Sequence, residues 1–268
     1  MKKKKESGFK KLVIIAVYLI LIILILGAIK FYGDNIKHIK VESRVNELAA
    51  IKNDDKVDAV AWLMIPGTDI DYPVKTTPDE QKYQDGDLQF LWEEGEVTKD
   101  SNLIIVQGHN IMNLSSNPLI NDKTHKRFEQ LMGYTYQDFA REYEYIQLTI
   151  DNENYLYKVY GVSYVNSTDA SIFNLGKTSE KTVKNVITLA KNRTIFDFDV
   201  DVNKDDKLLV LQTCTRMFGT RDKQVFRVDA RRVRENEEPK RYNVKVNDKY
   251  KDVEERMKGV DENEKEEA

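Results

Sequence analysis

The sequence predicts a mainly β fold: a closed or nearly closed β-barrel with inserted helices, carried behind an N-terminal transmembrane helix. Three observations predict it. Short apolar or alternating runs recur from residue 57 to residue 230, with turn signals at close intervals between them. Few segments carry helical periodicity. An uncharged apolar run lies near the N-terminus, long enough to reach across a bilayer core of roughly 30 Å.

The N-terminal run comes first. Lysines crowd residues 2–5 and recur at Lys10 and Lys11, and Leu12 to Ile29 then carries no charge. Lysines on that flank keep the N-terminus cytoplasmic and send the rest outward. A cleaved signal peptide is the competing reading, but Gly27-Ala28-Ile29-Lys30 is a poor small-x-small site. The chain therefore divides into a basic cytoplasmic segment 1–11, an anchor 12–29, a helical stalk 30–56, a globular domain 57–234 and a charged tail 235–268. In the stalk, Ile36, Ile39, Val41, Val45, Leu48 and Ile51 recur at roughly helical spacing, which predicts a helix packed on the domain.

Strand patterns follow in order. Ala59 to Ile65 is an apolar run closed by Pro66-Gly67. Ile70 to Val74 reads as an edge-like strand, because Pro73 has no N–H to give a central ladder. Residues 76–100 are polar, with aromatic spots at Tyr83, Phe90 and Trp92. Leu103 to Gln107 is a buried-strand run ending at Gly108-His109-Asn110, and Pro118 to Leu131 reads as loop and helix. Glu144 to Ile150 and Tyr155 to Val162 form a hairpin across the four-residue connection 151–154. Val183, Val186, Ile187 and Ala190 make a core-facing helical stripe. Asp197 to Val200 alternates, Lys207 to Cys214 is a second buried-strand run, and Val225 to Ala230 is the last clear strand. Beyond Glu235 the chain is charged and poor in apolar residues, which predicts a frayed helix or disorder.

Composition excludes several classes. The net charge is −3, from 42 basic and 45 acidic residues, so no general basic field favours nucleic acid. One cysteine, Cys214, cannot form an internal disulfide. It is either an inert core residue or a reactive group. One cysteine and three scattered histidines lack zinc-site spacing, and no metal or organic cofactor is suggested. Composition alone leaves open a calcium site built from carboxylates.

Of the histidines, His38 lies in the stalk and His125 in a lysine-rich segment, both with a bland solvated reading. His109 differs, because it ends a buried strand directly after a glycine. Two strand ends opening on one barrel rim can set a thiol beside an imidazole. The bland alternative is a buried thiol and a surface imidazole. An uncoupled pair with pKa values of about 8.5 and 6.5 holds only about 1% of molecules as thiolate–imidazolium, so a nearby cation is expected to help. Arg216, Arg221 and Arg227 are near in sequence. Arg227 interrupts an apolar strand, where it needs a partner or faces outward.

These segments resemble a family. Leu208-Leu209-Val210-Leu211-Gln212-Thr213-Cys214 resembles the Thr-Leu-x-Thr-Cys signature of sortases, the cysteine transpeptidases of Gram-positive cell surfaces. Ile104 to Asn110 resembles the family's histidine segment. Trp62-Leu63-x-Ile65-Pro66-Gly67-Thr68-x-Ile70-Asp71-Tyr72-Pro73-Val74 resembles the opening strands of class B sortases. The resemblance spans about residues 57–233. Val210 stands where the signature usually has Thr. The family's arginine opens the final strand, and Val225 stands there; Arg227 lies two residues on, and Arg221 reaches in from the loop as the alternative.

The resemblance implies a closed sortase-type barrel of about eight strands, with Cys214, His109 and Arg227 (alternatively Arg221) as the catalytic residues. It implies that the Cys214 thiolate attacks the carbonyl after a threonine in the C-terminal sorting signal of a surface protein. His109 protonates the leaving amine, and the arginine steadies the oxyanion. The thioacyl enzyme then passes the chain to an amine of a peptidoglycan precursor or a pilin. It implies no cofactor and no metal. A membrane-anchored cysteine protease and a non-catalytic surface assembly module are the competing functions.

Overall fold

The computed structural model describes residues 2–37, 42–52, 59–75, 88–91, 97–110, 113–114, 117–120, 127–166, 179–216 and 224–250. Tyr83, Trp92, His38, His125 and Arg221 lie outside them. The chain separates into two compact units, residues 1–40 and 41–268. The first is dominated by one helix, α1 (Lys2–Lys37). Its stretch Lys10–Lys30 is apolar and long enough to cross a membrane, and none of it is buried in the protein. The basic segment and the apolar run thus belong to one continuous helix.

The second unit opens with α2 (Val45–Lys52), which buries Leu48. Just ahead of it, Arg44 donates from Nη2 to Asp71 at 2.8 Å, and Trp62 donates from Nε1 to the same carboxylate at 2.6 Å. The Gln147 side chain both accepts from the Glu42 N–H and donates to the Glu42 carbonyl. The Trp62–Asp71 bond ties the first hairpin together across its two strands.

The rest is mainly β. The strands are β1 (Ala59–Met64), β2 (Asp71–Lys75), β3 (Leu88–Leu91), β4 (Leu103–Gln107), β5 (Tyr145–Ile150), β6 (Glu153–Asn166), β7 (Phe196–Phe198), β8 (Leu208–Thr215), β9 (Gln224–Arg232) and β10 (Val244–Val246). Eight of them curl into one sheet in the order β1-β2-β3-β4-β8-β9-β6-β5, and β5 pairs with β1 over Ala61 to Met64. A 3-10 helix (Arg127–Thr135) and α3 (Gln137–Glu142) bridge β4 to β5, and α4 (Glu180–Arg193) bridges β6 to β7. Ser179 caps α4, accepting from the Thr182 N–H, and Lys191 and Arg193 complement its C-terminal end.

Side-chain alternation splits the sheet into two faces. Ile104, Val106, Leu209, Leu211, Phe226, Val228 and Ala230 point into the main core. Leu103, Ile105, Leu208 and Val210 point to the other face, where Val183, Val186, Ile187 and Ala190 of α4 cover them. The helical stripe is core-facing, as its periodicity implies. Gly161 lets α4 approach: a Cβ there would stand 3.3 Å from the Cβ of Ala190.

Three sequence expectations are corrected. The hairpin connection between β5 and β6 is shorter than residues 151–154: Asp151 and Asn152 turn it alone, with φ of 51° and 62°. Two consecutive left-handed residues match the right-handed strand twist, and Asp and Asn tolerate that conformation. Second, β2 is paired on both sides. β1 covers it throughout, but the β3 ladder touches only Val74 and Lys75, beyond Pro73. The missing N–H limits that ladder without putting the strand at an edge. Third, the chain after Glu235 is packed against the domain as far as Asn247. Val244 is buried and β10 pairs with β7. The Tyr242 hydroxyl donates to the carbonyls of Glu144 and Val159 at 2.6 and 2.8 Å, and the Tyr145 hydroxyl donates to the Lys240 carbonyl at 2.5 Å. Buried Val244, partly buried Tyr242 and their hydrogen bonds hold a segment whose average composition is polar.

Candidate active site

The parallel pairing of β4 with β8 builds the site. Leu103 stands opposite Leu208, and the register holds to Gln107 opposite Gln212. That offset of 105 residues continues past the strand ends, where the Gly108 N–H donates to the Gln212 carbonyl at 3.2 Å and the Thr213 hydroxyl donates to the Gly108 carbonyl at 2.7 Å. One residue further, the same offset sets His109 level with Cys214. Both stand at the C-terminal ends of neighbouring parallel strands, where connecting loops collect functional groups.

Alternation decides which way Cys214 faces. Leu209, Leu211, Thr213 and Thr215 share the core parity, while Leu208, Val210, Gln212 and Cys214 share the outer one. Every residue of β8 is buried except Cys214, which is exposed. The outer parity runs from apolar pairs under α4 to the amide pair Gln107–Gln212, whose side chains bond at 3.0 Å, and then to His109 and Cys214. The inert-core reading of the thiol fails on this exposure.

Protein packed around the sulfur pushes the Cys214 thiol pKa up, and the positive charge of Arg216 pulls it back down. Burial pushes the His109 imidazole down. Both shifts favour the neutral forms, so the resting pair is thiol and imidazole at neutral pH.

Arg227 is brought to the same sheet region as the thiol. Across the β8–β9 ladder it stands opposite Gln212, while Val225 stands opposite Cys214. Arg227 and Asp229 are both completely buried, and the guanidinium contacts the carboxylate from Nε at 2.9 Å and from Nη2 at 2.6 Å. Its partner is therefore Asp229, as a buried charge requires. Among the described residues, exposed Arg216, two residues beyond the thiol, is a cation whose field reaches Cys214.

Sequence reasoning passed over two buried asparagines in the loop after His109. Asn110 donates from Nδ2 to the carbonyls of Asn113 and Cys214 at 3.0 and 3.1 Å, and its Oδ1 accepts from the Asn113 N–H at 3.1 Å. Asn113 in turn donates to the carbonyls of Leu119 and Glu129. The signal was present in His109-Asn110-x-x-Asn113, since asparagine side chains organise irregular backbone. Among the described residues no cluster of His, Cys, Asp and Glu has metal-binding geometry.

Comparison with known proteins fits this architecture. A sortase domain model matches residues 63–233. The chain belongs to the sortase family of cysteine transpeptidases. Sortase B of Staphylococcus aureus is 21% identical over 173 residues, covering 63% of this chain and 68% of that protein. The fold is similar to Clostridium perfringens sortase B, with a TM-score of 0.56 at 21% identity, over 69% of this chain and 99% of that one. It is also similar to a Staphylococcus aureus sortase B–substrate complex, with a TM-score of 0.55 at 18% identity, over 71% and 86% of the two chains. The match with class B sortases agrees with the resemblance of the Trp62–Val74 segment.

Proposed function

We propose that this sortase is held in the membrane by Lys10–Lys30, with its N-terminus cytoplasmic and its β domain outside, and that it joins sorting-signal proteins to an amine. Supporting the topology are the N-terminal lysines and the unburied apolar helix. Supporting a closed sortase-type barrel is the β1–β5 ladder. The observation that supports the chemistry is the shared β4–β8 register, which runs to Gln107 opposite Gln212, two residues short of His109 and Cys214, together with the exposure of the thiol.

In this reading Cys214 is the nucleophile. As its sulfur attacks the carbonyl after threonine, the thiol proton passes to His109. The tetrahedral oxyanion develops in the positive field of Arg216, while Arg227 serves from below by holding Asp229 and the β8–β9 floor. His109 then gives the proton to the departing amine as the C–N bond breaks, leaving a thioester on Cys214. An incoming amine from a peptidoglycan precursor or a pilin attacks the thioester, loses a proton to His109, and releases the thiol.

The test is to incubate the full chain in detergent with a fluorescent sorting peptide, with and without a glycine oligomer as amine. The expected result is an amide-linked product that appears only with the amine and is lost in Cys214→Ala. Peptide hydrolysis unaffected by amine would point to a protease, and cleavage that persists in Cys214→Ala would remove the scheme altogether.

A further inference from the structure

We propose that Asn110 is a positioning residue for the dyad, replacing the last missing rung between β4 and β8; the inference rests on the catalytic reading of Cys214 and His109. In a regular parallel ladder the acceptors recur every two residues. The Gly108 N–H fills the Gln212 carbonyl, and the next rung would run from residue 110 to the Cys214 carbonyl. There the Asn110 side chain, not a regular strand, reaches Cys214 O at 3.1 Å. β4 ends at Gln107, so the backbone leaves the sheet at His109 while staying tied to β8.

The arrangement joins the two reacting groups. Asn110 follows His109 directly in the chain and grips the residue that bears the thiol. It is itself buried, 5% exposed, and its Oδ1 and Nδ2 are both held by the Asn113 backbone. A side chain fixed at both ends transmits position rather than averaging it. Its bond orients the Cys214 peptide plane, which aims the Cα–Cβ bond toward His109. Free alternatives at this point would let the imidazole and the sulfur drift apart, and displacement of about 1 Å in a reacting pair costs up to about a hundredfold in rate.

The experiment compares wild type, Asn110→Ala and Asn110→Asp in the full chain. Asp keeps the acceptor for the Asn113 N–H but cannot donate to Cys214 O. Three quantities are read per folded molecule, with the folded fraction taken from thermal melts: the rate of acylation by a sorting peptide, the KM for that peptide, and the alkylation of Cys214 by iodoacetamide above pH 9. In both variants acylation is expected to fall by about tenfold or more, with KM and alkylation within about twofold of wild type. That split is what a displaced but intact thiol gives. Either variant acylating at the wild-type rate when folded overturns the inference, as does an equal fall in acylation and alkylation, which would mean general damage. If Asn110→Ala does not fold, Asn110→Asp decides. Acylation surviving in Cys214→Ala would be a failure of the catalytic reading itself, separate from this one.

Discussion

Arg227 and Asp229 form an ion pair in which neither side chain touches solvent, with Nη2 2.6 Å from Oδ1. The two residues sit two apart on β9, on the same face, two and four residues from Val225, which stands opposite Cys214. Burial pushes the Asp229 carboxyl up, and the Arg227 charge and hydrogen bonds pull it back. The guanidinium and the carboxylate therefore offset each other's burial.

Removing one partner strands the other. Arg227→Ala is expected to destabilise the domain by about 3–5 kcal/mol, because Asp229 is left as an unpaired buried charge. The double variant Arg227→Met with Asp229→Leu is expected to recover most of that loss. Chemical denaturation of the three proteins checks this. Arg227→Met/Asp229→Leu folding normally with acylation reduced a thousandfold would instead assign Arg227 to the transition state.

The activity profile follows from the two shifts at the dyad. Burial lowers His109 from its usual 6.5, and burial outweighs Arg216 in raising Cys214 from its usual 9.0. The pH dependence of kcat/KM is expected to be bell-shaped, with its acid limb below pH 6.5 and its alkaline limb above pH 9. Arg216→Ala removes a charge that favours the thiolate, so the alkylation midpoint of Cys214 moves to higher pH. An unmoved midpoint would show that Arg216 has no hold on the sulfur.

Stability responds to pH through two carboxylates of opposite sign. Hydrogen bonding to Arg231 pulls Glu237 down to about 2, with Lys158 adding to it. Its folded pKa is depressed, so its contribution is present above its ordinary 4.5 and is lost as pH falls toward 2. Glu237→Gln is expected to cost about 2 kcal/mol at pH 7 and little at pH 2, allowing for partial exposure. Burial pushes Glu144 up to about 7 against the pull of Arg241. The folded state then holds a proton that the unfolded state releases, so stability falls as pH rises from 4.5 to about 7. Glu144→Gln is expected to flatten that slope in melts taken across this window, and an unchanged slope would show that Glu144 stays ionised.

Much of this was legible in the sequence because the signals are local. The run Leu103 to Gln107 fixes its strand to the residue, and the α4 stripe at Val183, Val186, Ile187 and Ala190 names its buried face. The proposed pairing of Cys214 with His109 starts from a local signal too, since each residue follows a buried run and those runs pair in parallel. What stayed hidden depends on side-chain pairings that a linear pattern does not show. Nothing near Arg227 announced that Asp229 would take its charge, since Asp229 has the pattern of an exposed strand residue. The docking of Tyr242 and Val244 is a contact with β5 to β7, invisible to a composition average. The role of Asn110 was hidden because its acceptor, the Cys214 carbonyl, lies 104 residues away.

The measurement that bears most directly on the central claim is the intact mass of the full chain after brief exposure to a sorting peptide without added amine. Wild type is expected to carry one thioacyl adduct, mapped to Cys214. The adduct should be absent in Cys214→Ala and slowed at least about a hundredfold in His109→Ala. Peptide cleaved with no adduct on Cys214, or an adduct forming at the wild-type rate without His109, would contradict the account.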